Sequence, residues 1–217
     1  MNTKHPESQP SAISCNEDVR VLLFDYGGVV AEEGFREGLK ASARRAGLDP
    51  DAFFELAARA VYDSGYVVGR AEETDYWNAV RARSGIALPD EELRKEIMER
   101  FTLRQWMLDL ILDLRALGYF VAMLSDQTDW LDQLDRRDDF FQYFDQVFNS
   151  YHLGKGKQDP TVFADVARKL DVAPSAILFI DDNPGNVQRA RSQGLLTILY
   201  RDRESLLREL ADYGILE

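Results

Sequence analysis

Val19-Arg20-Val21-Leu22-Leu23-Phe24-Asp25-Tyr26-Gly27-Gly28 opens with a near-continuous apolar run and closes on a carboxylate followed by two glycines. The run from Val19 to Phe24 reads as a strand buried on both faces, which is the pattern of a parallel sheet. Two later stretches repeat it: Phe120 to Leu124 ends in Ser125, and Ile177 to Ile180 ends in Asp181-Asp182. Gln146–Phe148 and Thr197–Tyr200 are shorter strand candidates. Helical patterns separate these runs. Trp106, Leu110, Leu114 and Leu117 recur at helical spacing before Gly118. Asp159-Pro160 predicts a helix start, Asp as cap and Pro in the first turn, with Phe163, Val166, Ala167 and Leu170 as its buried face. Leu206, Leu210 and Tyr213 mark a last helix. The alternation predicts an α/β fold with an open, Rossmann-like parallel sheet flanked by helices.

Residues 34–103 break the alternation. Phe35–Ala46, Pro50–Tyr62, Glu72–Arg83 and Glu91–Phe101 are helix candidates, punctuated by Gly47, Gly65, Gly69, Gly85 and Pro89. They predict an all-helical insertion after the first core strand. The expected division is a tail over 1–17, a core over 18–33 and 104–217, and the insertion over 34–103. The tail is polar and aperiodic, with no apolar segment behind a basic start, so it does not read as a secretory signal.

Composition narrows the function classes. The 217 residues are 45% hydrophobic, enough for a full core. Cys15 is the lone cysteine and His5 and His152 the only histidines, which excludes an internal disulfide, a cysteine zinc site and a His-rich metal site. No apolar run approaches the roughly 18 residues that span a bilayer. The formal charge is 26 − 38 = −12, a poor match for nucleic acid or anionic membrane. The expectation is a soluble, cytoplasmic protein, monomer or homodimer, whose anion site must be built locally.

Ligands of open parallel sheets bind beyond the carboxyl ends of the strands. Asp25, Ser125 and Asp181-Asp182 all stand at such ends, and parallel strands bring those ends to one edge. Carboxylates gathered there repel each other unless a cation lies between them, and a hard divalent ion such as Mg²⁺ suits oxygen ligands.

Four segments in order resemble the motifs of the haloacid dehalogenase-like (HAD) hydrolases. Phe24-Asp25-Tyr26-Gly27-Gly28-Val29-Val30 resembles the first and Leu124-Ser125-Asp126 the second. Ser150 to Pro160 is similar to the third, an S-x-x-x-G-x-x-K-P-D-P pattern in which Gln158 here replaces a proline. Phe179 to Asn186 resembles the fourth. The forms are closest to the subgroup with a small helical cap, which includes sugar-phosphate phosphatases. The resemblance implies a Mg²⁺-dependent phosphatase acting on a small phosphorylated metabolite. Asp25 would be the nucleophile and form an aspartyl-phosphate. Ser125 and Lys157 would complete the catalytic set, and Ser125, Asp126, Gly28 and Lys157 would bind substrate. Asp25, the Gly27 carbonyl, Asp182 and Asp181 would hold the metal, with Asn186 in support. Lys155 is the alternative lysine.

One position departs from the usual phosphatase pattern. A second Asp normally follows the nucleophile by two residues and serves as general acid and base; here that position is Gly27. General acid–base help is worth roughly 10²–10⁴ in rate. Either the leaving group is good, or Asp126, Asp129 or a cap residue supplies the proton. Metal-independent 2-haloacid dehalogenation is the rival chemistry, and a weakly active regulatory or binding protein the third. Phe53, Phe54, Tyr62, Tyr66, Tyr76 and Trp77 make the insertion aromatic. Most are expected in its own core, with Tyr62 and Tyr66 as candidates to face substrate.

Overall fold

A computed structural model describes residues 19–216; the expected N-terminal tail, with His5 and Cys15, lies outside the described residues. Five parallel strands form one sheet in the order β3-β2-β1-β4-β5. They are β1 (Val21–Phe24), β2 (Phe120–Ser125), β3 (Gln146–Asn149), β4 (Ile177–Asp181) and β5 (Leu196–Leu199). The sheet is buried on both sides, as the unbroken apolar runs require. Leu22, Phe24, Val121, Met123, Leu178 and Ile180 enter one core, while Val21, Leu23, Ala122, Leu124, Ile177 and Phe179 enter the other. That split is the period-two alternation of a strand with no solvent face.

Topology places the site. β1 is central, with β2 and β3 on one side and β4 and β5 on the other, so the strand order reverses at β1. Phe24 pairs with Met123 and with Ile180, which brings Asp25, Ser125 and Asp181 to the same edge at that switch point.

Between β1 and β2 lie the helices α1 (Gly34–Arg45), α2 (Pro50–Asp63), α3 (Glu73–Ser84) and α4 (Asp90–Met98), then α5 (Gln105–Ala116). The sequence boundaries are met within about three residues, consistent with caps: Asp49 accepts from Ala52 N and Pro50 begins α2. Gly38 permits the close crossing of α1 and α4, since a Cβ there would lie 2.5 Å from Ile97 Cα. The remaining helices are α6 (Trp130–Asp138), α7 (Ser150–Leu153), α8 (Thr161–Lys169), α9 (Pro184–Ser192) and α10 (Arg203–Asp212).

Three local expectations shift. On α5 the buried stripe centres on Met107, Ile111 and Leu114; Leu117 lies past the helix end and is 61% exposed. Pro160, not Asp159, is the cap residue of α8; Asp159 accepts instead from Thr161 N and Oγ1, closing a turn just ahead of the helix. The amphipathic α6 carries Trp130, Leu131 and Leu134 into the core between β2 and β3 in the chain, a segment for which no helix was expected. Among the described residues no helix is long and apolar enough to cross a membrane.

Candidate active site

The nucleophile candidate sits where β1 ends. Asp25 N donates to Ile180 O at 2.9 Å, which pins the residue to β4, and the Asp25 carboxylate accepts from Tyr26 N. The chain then turns through Gly28, at φ +80°, where a Cβ would lie 2.3 Å from Asp182 Oδ2. Glycine is required there by conformation and by space. Gly27 lines the same cavity, and a Cβ on it would meet the Phe101 ring at 3.3 Å.

Lys157 is the centre of the arrangement. Its ammonium is 2.6 Å from Asp25 Oδ1 and 2.7 Å from Asp181 Oδ2, and the side chain is 1% exposed. Burial opposes its charge, but the facing carboxylates of Asp181, Asp25 and Asp126 outweigh that and raise its pKa. Lys155 instead turns outward to Thr161 and Asp165, so the lysine beside Asp25 is Lys157. His152 pairs with Asp132 at the surface.

The two members of the Asp181-Asp182 pair differ in surroundings. Asp181 is fully buried, and its oxygens accept from Lys157 Nζ, Asn183 N and Asn186 Nδ2. It anchors the lysine. Asp182 faces the cavity and takes no hydrogen bond or ion pair from the described residues. Burial, then the neighbouring charges of Asp181 and Glu33, push its pKa up to about 6. Asp25 is likewise raised, first by burial, with Lys157 pulling it down and Asp181 and Asp182 pushing it back up.

These groups fit a divalent cation. One oxygen from each of Asp25, Asp181 and Asp182 lies within 4.8 Å of the others. Against Lys157 the three carboxylates leave 1 − 3 = −2. Asp182 lacks a donor, and Gly28 leaves the space beside it open. Hard oxygen donors of this kind suit Mg²⁺.

Sequence reasoning missed several supports. Arg189 on α9 donates to Lys157 O at 2.7 Å and to Asn186 Oδ1 at 2.6 Å, tying the lysine loop to Asp181's partner. Its i, i+3 spacing from Asn186 was the available signal. Asp126, expected to bind substrate, lines the cavity but already accepts Lys157 N at 2.8 Å and the Tyr62 hydroxyl at 2.7 Å. Ser150 accepts from Gln127 N and donates to Val67 O, a second tie between core and insertion. Ser125 lines the cavity from the end of β2, and Gln127 and Thr128 from the loop after it. Of the two tyrosine candidates, Tyr62 lines the cavity and Tyr66 does not. Tyr66 packs against Tyr76 and Trp130 and donates to Asp129, which also removes Asp129 from the site. The cavity, about 210 Å³, is closed on the other side by Phe35, Phe54, Ala58, Val61 and Phe101.

Residues 19–194 match the sequence model of the haloacid dehalogenase-like hydrolases. Bifunctional epoxide hydrolase 2 of Rattus norvegicus is 31% identical over 137 residues, 58% of this chain and 24% of that protein, so the chain spans about a quarter of that relative's length. D-ribitol-5-phosphate phosphatase of Bacteroides thetaiotaomicron is 24% identical over 189 residues, covering 82% of this chain and 90% of that one. A HAD family enzyme of the same organism, solved in complex with magnesium and inorganic phosphate, superimposes with a TM-score of 0.67 over 87% of this chain and 98% of that one. At 21% identity this last likeness shows the fold alone.

Proposed function

Because the chain belongs to the haloacid dehalogenase-like hydrolase family, we propose that it is a Mg²⁺-dependent phosphatase of small phosphorylated metabolites, working through an aspartyl-phosphate on Asp25. The observation that carries this reading is the buried Lys157 ammonium held between Asp25 and Asp181, with Asp182 left unpaired beside them. The magnesium and phosphate bound by the Bacteroides enzyme and the activity named for the ribitol-phosphate phosphatase support it.

Asp25 attacks phosphorus and forms an acyl phosphate as the ester P–O bond breaks and its electron pair leaves on oxygen. A carboxylate needs no separate base for this step once ionised. Lys157 holds Asp25 in the ionised, aimed state and balances charge on the phosphoryl oxygens. The Ser125 hydroxyl donates to one of those oxygens. Asp25, Asp182 and the Gly27 carbonyl would hold Mg²⁺, which when bound draws off charge from the transferring group. Water then attacks phosphorus and releases Asp25 and inorganic phosphate. The half-buried Asp182, unpaired and clustered with Asp25 and Asp181 at a spacing that suits a cation, supports metal-dependent phosphoryl transfer over metal-independent dehalogenation.

Phosphate release from acetyl phosphate and a panel of phosphomonoesters should require Mg²⁺, stop with EDTA, and fall at least about 10³-fold in Asp25→Asn. Chloride release from 2-chloropropionate that survives EDTA, or no turnover of any phosphoryl compound, would overturn the reading.

A further inference from the structure

Resting on the phosphatase reading, we infer that the slot formed by Phe54, Ala58 and Tyr62 on α2 takes the leaving group, and that the substrate is an aryl phosphate, a monoester whose leaving group is flat and apolar. α2 carries two apolar stripes. Phe53, Ala57 and Ala60 are buried in the bundle, which accounts for one. Phe54, Ala58 and Tyr62 follow at i, i+4 and i+8, so they form a second face, and all three line the cavity. A small residue one turn from an aromatic ring on either side leaves a gap the width of a flat group. Phe35, Val67 and Phe101 add to the apolar lining.

The polar groups on the α2 face are few. The Tyr62 hydroxyl is bound to Asp126, and the Arg36 guanidinium lies 5.5 Å from the Phe54 ring centroid. A polyol laid against this α2 face would turn hydroxyls toward rings and methyl groups, and each one buried without a partner is costly. An aromatic body meets rings and methyl groups.

The leaving-group chemistry points the same way. The usual general acid is replaced by Gly27, where a Cβ would meet the Phe101 ring at 3.3 Å and Glu33 Oε2 at 3.8 Å. Both oxygens of Asp126 already accept hydrogen bonds, and Asp129 is held by Tyr66 and Gln133. Glu33 caps α1 through Oε1 and turns Oε2 toward Gly27, and a leaving group that carries its own charge as the P–O bond breaks lightens the demand on that one carboxylate. An aryloxide spreads that charge over its ring and takes its proton later from water.

The test compares kcat/KM for 1-naphthyl phosphate, phenyl phosphate, glucose 6-phosphate and acetyl phosphate with Mg²⁺. The expected result is a preference for 1-naphthyl phosphate over glucose 6-phosphate of about 100-fold or more, and over phenyl phosphate of several-fold. Ala58→Leu, which fills the slot, should lower the ratio of 1-naphthyl to acetyl phosphate turnover about 10-fold. If a melt shows Ala58→Leu unfolded, Phe54→Ser is read for the same ratio. Glucose 6-phosphate turned over as well as the aryl esters would overturn the substrate class and leave the phosphatase reading standing. An aryl preference that the slot variant leaves untouched would overturn the slot. Failure of all four compounds, acetyl phosphate included, would instead remove the phosphatase reading itself.

Discussion

Two kinds of ion pair divide the molecule. In the core, Lys157 bridges Asp25 and Asp181 with side chains 1%, 12% and 0% exposed. In the insertion, Arg45 bridges Glu92 and Glu96 across α1 and α4 with the arginine and Glu92 each 47% exposed. The distances are alike, yet the energetics are not. An exposed pair exchanges water for protein at nearly even terms and is worth about 0–1 kcal/mol. A buried charge has no such fallback, so its partners are obligatory even where the pair as a whole adds little stability. The core pairs are therefore read as chemistry that the fold tolerates, and the insertion pairs as surface adjustment.

Breaking each pair sharpens that contrast. Lys157→Met leaves two carboxylates facing each other in a dry site. The expected loss is about 3–5 kcal/mol in denaturant unfolding, together with loss of phosphate release. Arg45→Ala should cost under about 1 kcal/mol and leave turnover within twofold. Comparable losses in the two variants would mean that the site's charges are better hydrated than their burial implies.

Gly28 offers a smaller break within the core half. Ala at φ +80° costs about 1–2 kcal/mol in backbone strain, and its Cβ would press on Asp182 Oδ2. Gly28→Ala should lower stability by that amount and raise the Mg²⁺ concentration needed for half-maximal activity about 10-fold. Gly27→Ala, which lacks the positive φ and meets the edge of Phe101 and, at 3.8 Å, Glu33 Oε2 but not Asp182, should shift the Mg²⁺ requirement less. Equal shifts would detach Asp182 from the metal role.

The same division explains what the sequence let be read. Strand ends were legible because a strand buried on both faces writes itself as an apolar run, and the residue that ends it must be polar to meet the site; Asp25, Ser125 and Asp181 announced themselves this way. The four helices of the insertion were legible from their periodicity and glycine stops. The aim of their side chains was not. Tyr62 and Tyr66 are alike in type and four residues apart, yet one lines the cavity from α2 and the other, past the helix end, is locked against Tyr76 and Trp130. That difference arises where the insertion meets the core, in contacts between residues more than 60 positions apart. Arg189 was hidden for the same reason, since its partner Lys157 is 32 residues away. Asp126 carried the right residue type for substrate binding, but its bonds to Lys157 N and Tyr62 belong to tertiary structure.

The smallest expected effect tests the seam between the halves. The Tyr62 hydroxyl donates to Asp126 Oδ2 at 2.7 Å, and burial with the adjacent Asp126 carboxylate raises its pKa beyond any working pH, so it stays a donor. Tyr62→Phe keeps the ring and removes that bond alone. Asp126 retains Lys157 N as a donor, so no carboxylate is stranded, and the expected cost is about 1 kcal/mol. Amide exchange in α2 should quicken while exchange in β1 and β4 stays at the level of global unfolding. This bond would then be one of several separable ties between insertion and core, beside Tyr66 on Asp129 and Ser150 on Val67 O, with the strand edge indifferent to it. If instead the β4 amides quicken together with α2, the two halves share one cooperative unit, and the contrast between a fixed chemical edge and an adjustable wall would have to be abandoned.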